Sequence, residues 1–340
     1  MDQLPAFGTP IFTHIHPTLN AYKPLLLARS SAIRSTPKET HRYSQNHPRQ
    51  ELDIYFPACP SVSPSSGRRR VLLFLYGGGL AVGSRTRLPY ADGLTYANLA
   101  HYFATRHSLT VVIPDYRLVG DHGARFPSGG EDLMLAISWL RTELAGRPGF
   151  GGGIDLAIMG NSAGGIHTCT YLFSHDARFA ESRASIIVGG GDGGGGGGGG
   201  NASSSPVALK AVVLLAVPYQ FQSAIEGRRQ TLETYFGGPG GVEENCPLSL
   251  LRKAVDAGGG KIGMKGVKFM QMDGPLDPDD EILEPGRMFK AAWPEDEVEL
   301  TREIADGHNH ISPPLGLGTG IEKEESWGEI VGKFVDAACT

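Results

Sequence analysis

Cysteine is scarce and scattered: four in 340 residues (Cys59, Cys169, Cys246, Cys339), with no C-x-x-C pair. That spacing argues against a zinc site and against a disulfide framework. Long apolar runs are missing too, and none approaches the roughly 18 uninterrupted residues of a membrane span. The opening stretch, MDQLPAFGTPIFTHIHPTLN, has no basic region followed by a long apolar segment, so no signal peptide is read. A strong charge of either sign is also absent, since 31 Lys and Arg stand against 36 Asp and Glu. The net of −5 is too mild to imply nucleic acid or an anionic membrane as partner. The expectation is a soluble cytoplasmic protein.

What the chain does have is apolar content and glycine. Hydrophobic residues make up 40%, enough for a sizeable core, and the length fits one large α/β domain or two ordinary ones. The 48 glycines are about twice the usual share of roughly 7%. Part of the excess is one tract, 189–200, of 11 glycines and one aspartate, followed by NASSSP. Such a run buries no apolar surface, so 189–206 reads as a flexible surface insertion. It lacks the context of a phosphate-binding loop, because no G-x-x-x-x-G-K-[ST] or G-x-G-x-x-G opens a helix there. Asn201-Ala202-Ser203 is formally a glycosylation sequon.

Residues 1–50 are rich in Pro, His, Ser and Arg without clear periodicity and read as an irregular N-terminal extension to a domain spanning 51–340. ELDIYFP (51–57) alternates as a half-buried strand would. VLLFLYGGG (71–79), LTVVIPDYRL (109–118), IDLAIMG (154–160), VALKAVVLLAVP (207–218) and GVKFMQMD (266–273) are near-continuous apolar runs of the kind buried on both faces of a parallel sheet. Between them, Leu133, Ile137, Leu140 and Leu144 mark one helix face, and Trp327 to Ala338 an amphipathic terminal helix. Alternating strands and helices predict a doubly wound, mainly parallel sheet with helices on both faces. The segment 219–258 is long for a connection, and both a lid over a site and ordinary helical packing suit it.

The chemistry centres on GNSAGG (160–165), where Gly160 and Gly164 flank Ser162 just after an apolar run. A Gly-x-Ser-x-Gly turn lets a strand reverse sharply into a helix and lifts the serine hydroxyl clear of the backbone. A serine nucleophile needs a base and an acid to orient that base. In chain order Ser162 is followed by QMDGPLDPDDEILEP and then by DGHNHISPP, which supply Asp277 and His310. Asp273, Asp279 and Asp280 are rivals for the acid, and His308 for the base. His14, His16, His41 and His47 have no spacing that suits a closed metal site, and His167 reads as structural.

Taken together, LYGGGL (75–80), VVIPDYRL (111–118), GNSAGG, LDPDDEIL (276–283) and GHNHIS (307–312) make the chain resemble an α/β-hydrolase of the hormone-sensitive-lipase and carboxylesterase type. It is also similar to kynurenine formamidases, and its style resembles fungal esterase-like members, some of which serve secondary metabolism. The resemblance runs from about residue 50 to the end and implies the α/β-hydrolase fold. It implies hydrolysis of a small organic ester through an acyl-enzyme on Ser162, with His310 as base and Asp277 holding its tautomer. The oxyanion hole would be the backbone N–H groups of Gly78, Gly79 and Ala163. The family's Gly-x-x-His pattern favours His310, and its LDP motif favours Asp277. No cofactor and no metal is implied, and a formamide or other amide is the alternative substrate. The sequence departs from the family's His-Gly-Gly-Gly at Tyr76, which stands in the histidine position.

Overall fold

The computed structural model describes residues 1–87, 90–120, 122–187 and 205–340. The glycine tract and the Asn201 sequon lie outside them. Eight strands form one sheet: β1 (Lys38–Arg42), β2 (Glu51–Tyr55), β3 (Arg69–Leu75), β4 (Thr110–Pro114), β5 (Ile154–Asn161), β6 (Val207–Leu215), β7 (Lys268–Asp273) and β8 (Leu300–Ile304). Their order is β1-β2-β4-β3-β5-β6-β7-β8. The pairs β1–β2 and β2–β4 are antiparallel, and every other pair is parallel.

The helices are α1 (Ile11–Ala28), α2 (Ser30–Arg34), α3 (Ala97–Arg106), α4 (Ser128–Trp139), α5 (Ala163–Phe173) and α6 (Ala177–Ala184). Beyond β6 come α7 (Glu226–Phe236), α8 (Pro239–Asn245), α9 (Pro247–Ala257), α10 (Glu284–Ala291), α11 (Ser312–Gly316) and α12 (Glu322–Ala338). They pack in two groups: α3 with α11 and α12, and α5 with α4, α6 and α9. Every residue of β5 is buried, as expected of a strand covered on both faces. In β2 the alternation hides a fully buried strand from Leu52 to Tyr55, because Asp53 is covered by Arg85 and Lys38.

The N-terminal region corrects the reading of an irregular extension. Residues 11–28 are helical, with Pro17 and Pro24 inside the helix. Its inner face runs through Ile11, His14, Thr18, Tyr22 and Leu26, at steps of three and then four. Two of these five are polar and two prolines interrupt, so no apolar stripe shows in the sequence. Among the described residues no helix is long and apolar enough to cross a membrane.

The chain enters the parallel part of the sheet at β3, steps to β4 on one side, and returns past β3 to β5 on the other. This reversal leaves a crevice at the carboxyl ends of β3 and β5, the place where open α/β sheets bind ligands. Gly77–Gly79 follow β3 and Ser162 follows β5, so both reach that crevice.

Candidate active site

Ser162 links β5 to α5 with φ 51° and ψ −117°, a left-handed backbone that few side chains adopt. Its own N–H donates to the Leu215 carbonyl of β6 at 2.9 Å, which fixes the turn to the sheet. The flanking glycines are there for close approach. A Cβ on Gly164 would stand 2.1 Å from the Leu75 carbonyl oxygen, and one on Gly160 would stand 2.6 Å from Thr168 Oγ1.

The loop after β8 brings His310 to this turn. His310 Nε2 lies 2.9 Å from Ser162 Oγ, and its Nδ1 lies 2.9 Å from Asp277 Oδ1. Asp277 comes from the loop after β7, and its Oδ2 accepts the Gly274 N–H at 2.7 Å. Both His310 and Asp277 are buried. The three residues singled out in the sequence therefore form one continuous hydrogen-bonded chain. Their rivals are placed elsewhere. His308 pairs through Nδ1 with Ser312 Oγ at 2.8 Å, and burial holds it down to about 4, so it stays neutral. Asp273 hydrogen-bonds Gln271 rather than a histidine, and Asp279 ion-pairs with Arg287.

A family described as having the alpha/beta hydrolase fold matches residues 72–196. Esterase B from Lactobacillus rhamnosis superposes with a TM-score of 0.61 at 16% identity, covering 100% of this chain and 97% of that one. A thermostable carboxylesterase cloned from a metagenomic library gives 0.59 at 16% identity, over 94% and 96%. This chain has the α/β-hydrolase fold. In sequence it is 30% identical to probable carboxylesterase 8 of Arabidopsis thaliana over 117 residues, 31% of this chain and 33% of that protein. Carboxylesterase 1E of Mus musculus is also 30% identical, over 39% of this chain and 22% of that protein. The match thus spans a third or less of these two relatives' lengths.

In this chain the glycine run after β3 faces the serine. A Cβ on Gly77 would meet Ser162 Cβ at 3.0 Å, and one on Gly78 (φ 150°) would stand 1.9 Å from the Val82 carbonyl oxygen. Gly79 also has positive φ, at 59°. Ala163 opens α5, so its N–H has no carbonyl one turn back to bond. Gly77 escaped notice in the sequence although its close approach to Ser162 is as tight as the glycine motif suggests.

Tyr76 shows how a tyrosine serves where the family has histidine. Its ring stacks between Tyr96 and Tyr116, at centroid distances of 5.4 and 4.7 Å. Its hydroxyl donates to Asp115 Oδ1 at 2.6 Å and accepts from Arg49 at 3.0 Å. Asp115 is also bound by Arg85, so the glycine loop rests on a buried ion cluster. His167, read as structural, packs edge-on against Tyr116, and burial lowers it to about 3.

A cavity of about 460 Å³ opens over Ser162 and His310. The helix α1 supplies one wall through Ile11, Phe12, Ile15 and Leu19. It also braces the histidine loop, since Asn309 Nδ2 donates to Thr18 Oγ1 at 2.9 Å. The 219–258 segment contributes to both the cavity and the helical packing. Ile225, Gly227, Arg228 and Thr231 line the cavity, whereas α9 packs on α5.

Asp273 yields a prediction. Burial, and then the nearby Asp277 charge, push its carboxyl up to about 7. The folded state therefore holds this proton more tightly than the unfolded chain, whose aspartates titrate near ~4. The sign follows: Asp273 costs stability increasingly as pH rises from about 4 to 7, and the full cost stands above that. Asp273→Asn should raise Tm more at pH 8 than at pH 5. Equal shifts at both pH values would refute the assignment.

Proposed function

We propose that this chain is a serine hydrolase of carboxylic esters. The observation that carries the reading is the unbroken path from Asp277 through His310 to Ser162, with both hydrogen bonds at 2.9 Å. Ser162 Oγ attacks the ester carbonyl while His310 Nε2 takes its proton. Asp277 fixes the tautomer with the proton on Nδ1 and stabilises the imidazolium. The backbone N–H groups of Gly78, Gly79 and Ala163 bind the oxyanion. His310 then gives its proton to the leaving alcohol, and water releases the acyl group by the same steps. The carboxylesterase relatives and the apolar cavity wall formed by α1 support an ester over an amide.

Esters have better leaving groups than amides, so a triad of ordinary strength favours them unless the pocket is built around one amide. Short-acyl aryl esters should be hydrolysed, with kcat/KM for N-formylkynurenine at least tenfold lower. Both are measured on one preparation, with Ser162→Ala as blank. If N-formylkynurenine proves the better substrate, the ester reading fails and the formamide hydrolase takes its place.

A further inference from the structure

The cavity wall is not uniformly apolar. The segment leading into α3, which packs against α1, adds Arg87, Thr95 and Tyr96 to the lining. Thr95 is 1% exposed, and its Oγ1 has no hydrogen-bond partner among the described residues. A buried hydroxyl left without a partner is costly, and in a native protein it calls for an explanation such as a water, an ion or a ligand. Arg87 stands beside the Tyr96 hydroxyl and favours its ionisation against burial. No carboxylate among the described residues lies within ion-pairing distance of it, although Arg49, Arg85, Arg117 and Arg228 all have one. Asp115, the carboxylate felt at Tyr96, is already held by Arg85, Arg49 and Tyr76. The cavity lining therefore combines a guanidinium without a carboxylate partner among the described residues and a hydroxyl without a partner among them, eight residues apart in the chain.

Taking the ester-hydrolase reading above as its basis, we propose that the substrate is an ester carrying a carboxylate on the arm that lies against Arg87, Thr95 and Tyr96. A half-ester of a dicarboxylic acid is the simplest member of this class. The guanidinium fork and the Thr95 hydroxyl donate to the carboxylate, while the methylenes between carboxylate and ester lie on the apolar residues of α1. Hydrolysis adds one water across the acyl C–O bond and releases an alcohol and an acid, one of which keeps the recognised carboxylate. A site built to bond a substrate group discriminates strongly against analogues that lack it.

Two substrate pairs test this, one for each arm. Mono(4-nitrophenyl) glutarate is compared with 4-nitrophenyl valerate, and 4-carboxyphenyl butyrate with its methyl-carboxylate analogue. In one pair the carboxylated ester should show at least tenfold higher kcat/KM, mainly through KM. Arg87→Gln should cut that ratio at least tenfold, Thr95→Val should cut it severalfold, and Arg87→Lys should keep part of it. In a Ser162→Ala background, calorimetry should detect binding of monomethyl glutarate, lost on adding Arg87→Gln. This last measurement stands even where no ester is turned over. Absence of turnover of all four esters refutes the ester reading itself. With ester turnover present, no carboxylate preference in either pair, or a ratio unchanged in Arg87→Gln, overturns the present proposal.

Discussion

Ser162→Ala should lower kcat/KM for a short-acyl aryl ester by a factor on the order of 10⁵ to 10⁶, the scale set by removal of a triad serine in a protease. The side chain's recorded hydrogen bond is to His310, so truncation removes chemistry and little packing. The strained turn stays as it was, because alanine meets the same φ of 51° that serine already bears. Tm should therefore change little. A fluorophosphonate probe should label the parent at Ser162 and leave the variant unlabelled. Labelling at another residue, or activity in the variant near the parent's, would remove Ser162 from the mechanism.

His310→Ala should cost nearly as much as the serine change, and the double variant Ser162→Ala/His310→Ala little more than either alone. Residues that act as one relay fail together, and their separate losses do not add. His308→Ala is the control, two residues away in the same loop. Its imidazole is spent on Ser312 and on filling a buried space, so its loss should appear in Tm more than in turnover. Initial rates and thermal melts of the two single variants decide the matter. If His308→Ala is the inactive one, the roles assigned within GHNH are reversed.

The sheet and the serine turn were legible because their causes are local. Strands buried on both faces leave continuous apolar runs, and a backbone that must pass within van der Waals contact of its neighbours leaves glycines at 160 and 164. The order of serine, acid and histidine along the chain narrowed the relay to a few residues. It could not choose among them, since Asp273 and Asp277 stand only four residues apart, and His308 and His310 two, in similar surroundings in the sequence. That choice is made by packing. Gly274 sits so close to the His308 carbonyl that a Cβ there would stand 2.5 Å from its oxygen, and beside this close approach of the two loops Asp277 meets His310.

The sequence by itself determined the α/β pattern, the nucleophile's turn and the small set from which its partners come, because period and glycine placement report directly on local backbone geometry. Only the tertiary structure decided that residues 11–28 form a wall of the site, with Ile11, Phe12, Ile15 and Leu19 facing the cavity and Thr18 bracing the histidine loop. Only it set Tyr76 on Asp115, and left Arg87 and Thr95 facing the cavity. The physical reason is common to all of these. A buried polar side chain is stabilised by partners distant in the chain, such as Asn309 for Thr18 across 291 residues, and no local pattern encodes where those partners come together.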